Sequence, residues 1–102
     1  QKENVEKNID ILGITITDNE NGVEVTAIQD EIINLEIGDV ISEVNRELVN
    51  DIDSFYKLIT ELEKTGRSSL LLKILREDEQ IWVTIKFNNW IIKFILLLVQ
   101  QQ

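Results

Sequence analysis

The sequence predicts a small α+β domain, a partly open β-barrel or sandwich of about five to six strands capped by one long and one short helix. Three observations point there. Residues 51–64 carry apolar side chains at the spacing of a single helical face. Several short runs alternate apolar and polar residues, as half-buried strands do. Finally, Gly38-Asp39 opens one such run, Val40-Ile41-Ser42-Glu43-Val44-Asn45, just ahead of the helix, so strands and helix are interleaved along the chain.

The helix has the clearest signals. Asp51 or Asp53 can cap it, and Phe55, Leu58, Ile59 and Leu62 form its apolar stripe. Lys57, Glu61, Glu63 and Lys64 cover the opposite side, and Gly66 is a natural stop. In the strand before it, strict alternation places Val40, Ser42 and Val44 on one face and Ile41 and Glu43 on the other. Asn45-Arg46-Glu47 reads as a turn and Leu48-Val49 as a brief strand.

The remaining elements follow in order. Residues 1–8 are polar and read as a linker or frayed end. The chain then bends around Gly13 into a strand, Ile14 to Thr17, turns through Asp18 to Gly22, and returns as Val23 to Ile28. Gln29 to Ile37 reads as a short helical turn and loop. Beyond Gly66, Ser69–Leu75 and Gln80–Phe87 form a hairpin around the charged turn Arg76 to Glu79.

A chain of 102 residues is one domain with a modest core. Its net charge is −9, from ten basic and nineteen acidic residues. Nucleic-acid binding needs clustered Lys and Arg to neutralise phosphates, so that class is set aside, as is an anionic membrane surface. With no His and no Cys, the chain lacks the parts for a thiolate zinc site, a disulfide framework, or a Ser-His-Asp or Cys-His unit. Asp18 to Gly22 is a turn rather than a calcium loop, and no cofactor or metal is expected. Without His or Cys the chain reads as non-catalytic, and because it begins with Gln and shows no signal peptide it reads as a piece of a longer protein.

Four segments together carry a family resemblance: Leu12-Gly13-Ile14, Gly22-Val23-Glu24-Val25, the Gly38–Asn45 strand, and the helix from Phe55 to Leu62. Over residues 9–87 the chain resembles a PDZ domain. With its closing hairpin at Leu70–Phe87, it resembles the circularly permuted kind found in the bacterial HtrA (Do-like, DegP-like) periplasmic serine proteases, in particular their second, C-terminal PDZ. It departs from the family in three places. The Ala-rich helix before the Gly-Asp strand is missing, the usual Asn-Gly turn is Asn45-Arg46, and the chain runs on from Asn88 to Gln102.

The resemblance implies a peptide groove in which a ligand adds as a strand. Ile11, Leu12, Gly13 and Ile14 would form the loop whose amides take a peptide carboxylate, with Leu12, Gly13 and Ile14 as donors. Ile14, Thr15 and Ile16 would pair with the peptide. Leu12, Ile14, Ile16, Phe55, Ile59 and Leu62 would line the pocket for its last side chain. Lys7 lies close enough in sequence to add a cation beside the carboxylate. By the same resemblance, the partners are C-terminal or extended hydrophobic segments of unfolded proteins, together with other domains or subunits of a parent serine endopeptidase. The setting is the periplasm or cell envelope. The alternatives are an architectural PDZ that assembles the protease, or a PDZ of a tail-specific or intramembrane protease. The apolar tail Trp90 to Val99 is too short to span a bilayer and is interrupted by Lys93. It is expected to pack on its own domain or to drive self-association.

Overall fold

The computed structural model describes residues 5–29, 34–87 and 99. Among the described residues, one antiparallel sheet of seven strands and the helix packed on it make up a fold that is α+β and compatible with a PDZ-like arrangement. The elements are β1 (Glu6–Ile9), β2 (Ile14–Asn19), β3 (Gly22–Ile28), β4 (Val40–Val44), β5 (Glu47–Leu48), α1 (Ile52–Lys64), β6 (Ser69–Arg76) and β7 (Glu79–Lys86). Along the sheet the order is β1-β2-β3-β4-β6-β7, with β5 attached to β4.

The helix forms where its apolar stripe and caps indicate. Asp51 is the N-cap: its carboxylate accepts from the Ser54 amide at 2.8 Å, and the Ser54 hydroxyl accepts from the Asp51 amide at 3.2 Å. Thr65 is the C-cap and Gly66 follows at φ +86, a value that suits glycine best. Ile52, Phe55 and Ile59 face inward, and the helix lies across β2, β3 and β4. There the core gathers, with Ile14, Ile16, Val25, Ile41, Leu72 and Ile74 all fully buried.

Three features differ from the sequence reading. Glu6–Ile9 is a strand, although residues 1–8 read as a linker or frayed end. In β4 a bulge between Ile41 and Glu43 sets two residues against one step of β6. Ile41 and Val44 therefore share the core face, opposite Ile74 and Leu72, while Glu43 meets Lys73 outside at 3.5 Å. The brief strand is Glu47–Leu48 rather than Leu48-Val49: Leu48 is exposed and Val49 turns into the core. The expected short helix within Gln29–Ile37 falls largely on residues 30–33, outside the described residues; residues 34–39 form bends and turns. The tail from Trp90 to Leu98 likewise lies outside the described residues.

Two of the tight hairpins, β4–β5 and β6–β7, turn through two consecutive residues at positive φ, Asn45 (49°) and Arg46 (71°), then Glu77 (50°) and Asp78 (67°). That geometry matches the right-handed twist of the strands on either side, which explains its use without glycine. Asn45 is tied down by its neighbours: its Oδ1 accepts from the Leu71 amide at 2.9 Å, and its own amide donates to Leu71 O at 2.7 Å.

Candidate functional site

The candidate site is built on the edge of β2 and the loop leading into it. Gly13 sits at φ +72, and its carbonyl accepts from the Gln29 amide at 2.8 Å, which anchors the loop to the end of β3. The bend aims two successive amides at one oxygen. Leu12 N–H donates to the Ile9 carbonyl at 3.0 Å, and Gly13 N–H donates to the same carbonyl at 2.8 Å. Gly13 N–H also reaches the Asp10 carbonyl at 3.3 Å.

The residues expected to line the pocket come together. Leu12, Ile14, Ile16, Phe55 and Ile59 are each fully buried in one apolar cluster, with Leu62 and Ile11 packed against it. Ile14, Thr15 and Ile16 form the edge expected to pair with a peptide, and here they pair with the chain itself. β1 runs antiparallel to β2, matching Glu6 with Thr17, Lys7 with Ile16, Asn8 with Thr15 and Ile9 with Ile14. The Thr17 hydroxyl donates to the Val5 carbonyl at 2.9 Å and holds the start of that strand.

β1 also meets the helix. The Lys7 ammonium lies 4.5 Å from the centre of the Tyr56 ring, so Lys7 serves as a cation on an aromatic face rather than as a neighbour of the loop amides. Ile9 is fully buried and belongs to the same cluster as Leu12, Ile14, Phe55 and Ile59. Beyond Lys7, a cleft of about 440 Å³ opens between β1 and the first turn of α1, walled by Glu6, Asp18, Asp51 and Asp53 among others. Two of those carboxylates are structural. Asp18 Oδ1 accepts from the Ile52 amide at 2.8 Å, so β2 positions the start of the helix, and Asp51 is the N-cap.

Sequence reasoning missed Ile9 and Tyr56, and it gave Lys7 a place beside the loop amides instead of on the Tyr56 ring. The signal available was the period-two spacing of Val5, Lys7 and Ile9, which the lysine in the middle disguises. Three features stand together there: two amides bonded to the Ile9 carbonyl, a buried apolar cluster that includes Ile9, and the Tyr56 ring beside the Lys7 ammonium. The strand that this edge of β2 receives is β1 of the same chain. Among the described residues, no helix is long and apolar enough to cross a membrane.

No protein-family model matches the chain. The chain is similar to a probable periplasmic serine endoprotease, DegP-like, of Rickettsia conorii, with 28% identity over 72 residues. The match takes in 71% of this chain and 14% of that protein, so the chain spans about a seventh of its relative's length. The similarity relates the chain to an HtrA-type protease region.

Proposed function

We propose that the chain is a PDZ-like peptide-binding module, of the circularly permuted bacterial order, within an HtrA-type serine protease of the cell envelope. It captures exposed C-terminal or hydrophobic segments of unfolded proteins by strand addition and regulates or feeds a protease domain elsewhere in the parent. The carrying observation is the convergence of the Leu12 and Gly13 amides on one acceptor oxygen beside the apolar cluster of Ile14, Ile16, Phe55 and Ile59. A peptide carboxylate is such an acceptor, and its last side chain belongs in such a cluster.

Magnitudes favour sampling over tight assembly. Two or three charge-assisted hydrogen bonds contribute about 1.5–3 kcal/mol each, and one buried aliphatic side chain contributes a similar amount. Association costs at least roughly 4 kcal/mol. The balance corresponds to about −8 kcal/mol at best, or micromolar binding. Titrating a fluorescent peptide ending in Val or Leu tests the reading: binding should saturate and should vanish when the peptide's C-terminus is amidated. No binding of either peptide would overturn it.

The covered edge of β2 favours a second, architectural reading, in which the module joins subunits of the parent instead of sampling peptides. Its test is sizing of the chain with and without residues 90–102. A shift to monomer on removing them supports assembly, and an unchanged size argues against it.

A further inference from the structure

The segment that covers β2 is placed and patterned as a ligand of that edge would be. It runs antiparallel to β2, and its final carbonyl, that of Ile9, takes both loop amides. The Ile9 side chain is fully buried in the cluster that lines the pocket, and two residues earlier Lys7 rests on the Tyr56 ring. The other two side chains, Glu6 and Asn8, are exposed. On the inward face, the strand thus presents a cation and, two residues later, an aliphatic side chain.

We propose that β1 is a built-in occupant of the groove, and that the ligand displacing it carries the same pattern: Lys or Arg two residues before a terminal Ile, Val or Leu. The inference rests on the peptide-binding reading above and names the substrate class of that same site. Charge supports it. With β1 withdrawn, the Tyr56 ring face is left at the position of the Lys7 ammonium, and Asp18, Asp51 and Asp53 line the cleft that Lys7 also lines. A cation arriving there meets a ring face and negative charge, whereas an acidic side chain meets repulsion. Withdrawal is local, because β1 is a four-residue strand linked to β2 by the short loop Asp10–Gly13 and, among the described residues, it pairs with no other strand. An occupant tethered by so short a loop acts at an effective concentration of about millimolar. A free peptide therefore binds the parent chain measurably but more weakly than it binds a chain whose strand is weakened or pulled away.

The chain has no cysteine, so a single engineered disulfide can lock the strand in place. Asn8 and Thr15 are register partners on the exposed side of the hairpin, and the full-length N8C/T15C variant is suited to this. The probe is a fluorescein-labelled hexapeptide ending in Lys-Asn-Ile with a free carboxylate. Its controls end in Glu-Asn-Ile, or in Lys-Asn-Ile with an amidated terminus. The oxidised variant should bind the Lys-Asn-Ile probe at least tenfold more weakly than the same protein reduced. Ile9→Ser, which empties the occupant's anchor, should bind it at least tenfold more tightly than the parent chain. The Glu-for-Lys change should weaken binding about tenfold.

Equal binding by oxidised and reduced protein would overturn the inference while leaving peptide binding intact. Release by the reduced protein or by Ile9→Ser without preference for Lys over Glu would overturn the proposed pattern. Failure of the reduced variant and of the parent chain to bind any probe, with dispersed amide resonances showing both folded, would overturn the inference and the peptide-binding reading together. Should Ile9→Ser not fold, the oxidised and reduced forms of the lock decide the matter without it.

Discussion

Asp39 grips Arg76 with both carboxylate oxygens. The Arg76 Nε donates to Oδ1 at 2.9 Å and a terminal guanidinium nitrogen donates to Oδ2 at 2.8 Å, which ties the turn before β4 to the last residue of β6. Oδ2 also accepts from the Glu36 amide at 2.8 Å, and Glu36 adds a carboxylate 3.4 Å from the guanidinium. Asp39 is 1% exposed, whereas the Arg76 side chain is 27% exposed, so Arg76 brings its charge from the rim to a buried acid. The Gly-Asp pair ahead of β4 is therefore a structural clasp. Gly38 donates to the Val25 carbonyl and Val25 to the Asp39 carbonyl, both at 2.8 Å, so the same two residues also extend the short β3–β4 pairing.

Breaking the clasp should be costly. Asp39→Ala strands the Glu36 amide and leaves Arg76 without its main partner, for an expected loss of about 3 kcal/mol in urea unfolding. That is the lower end for a broken buried pair, because Arg76 retains access to water. Arg76→Lys keeps the charge but loses the fork and should give up about half as much. The pair should not make stability depend on pH through its basic partner. The hydrogen bond to Asp39 raises the Arg76 guanidinium above its ordinary value. Stability from a raised cation is complete below its unfolded value and is lost only as pH climbs through the folded one. For arginine both lie beyond neutral and mildly alkaline conditions, so unfolding curves at pH 7 and pH 10 should report the same Arg76 contribution in a cycle with Arg76→Lys.

Gly22 begins β3 at φ +142, where an added Cβ would sit 2.0 Å from the Ile41 carbonyl oxygen. That oxygen belongs to β4 backbone and cannot swing aside as a side-chain tip would. Gly22→Ala combines this clash with backbone strain and should cost about 3 kcal/mol or more, enough to unfold much of a marginal domain. Gly38, by contrast, has open space around its missing Cβ, and Gly38→Ala should cost only the strain of φ +99, about 1–2 kcal/mol. The ordering of the two variants in thermal melts is the measurement.

The hairpin turns offer the opposite sign. Arg46 and Asp78 are exposed residues held at φ 71 and φ 67, respectively. Glycine removes that strain, so Arg46→Gly and Asp78→Gly should each stabilise by about 0.5–1 kcal/mol. The turns are far apart, and the double variant should show the sum. A loss of stability in both would mean that their side chains contribute more than the strain they carry.

What the sequence made legible is what depends on near neighbours. The stripe Phe55, Leu58, Ile59, Leu62 and the cap Asp51 lie within one helix, and the alternation of Val23 to Ile28 lies within one strand. The apolar residues expected at the site did gather into one cluster, because they are the same residues that the core requires. What escaped depends on partners distant in sequence. Lys7 looks like solvent-facing polarity until Tyr56 is brought beside it, so β1 read as a loose lead-in. The β4 bulge exists only relative to β6, and no count along Val40–Val44 reveals that Ile41 and Val44 share a face. Asp39 was visible as part of a motif, but its partner stands 37 residues away at the end of another strand.

The start of α1 shows how two distant acids divide one task. A helix leaves its first amides without partners, and here Asp18 on β2 takes that of Ile52 while Asp51 takes that of Ser54, each at 2.8 Å. Asp51→Ala removes a local cap and should cost about 1 kcal/mol. Asp18→Ala removes a bond that also fixes the helix against the candidate groove edge, so it should cost a similar amount and, in addition, loosen the contact between Lys7 and Tyr56. The Tyr56 ring resonances report that contact directly. They should shift in Asp18→Ala and barely move in Asp51→Ala, because Ser54 still holds the Asn50 amide at 3.1 Å and the Asp18 bond still sets the helix in place. Identical shifts in the two variants would mean that the local cap, rather than the strand, positions the helix.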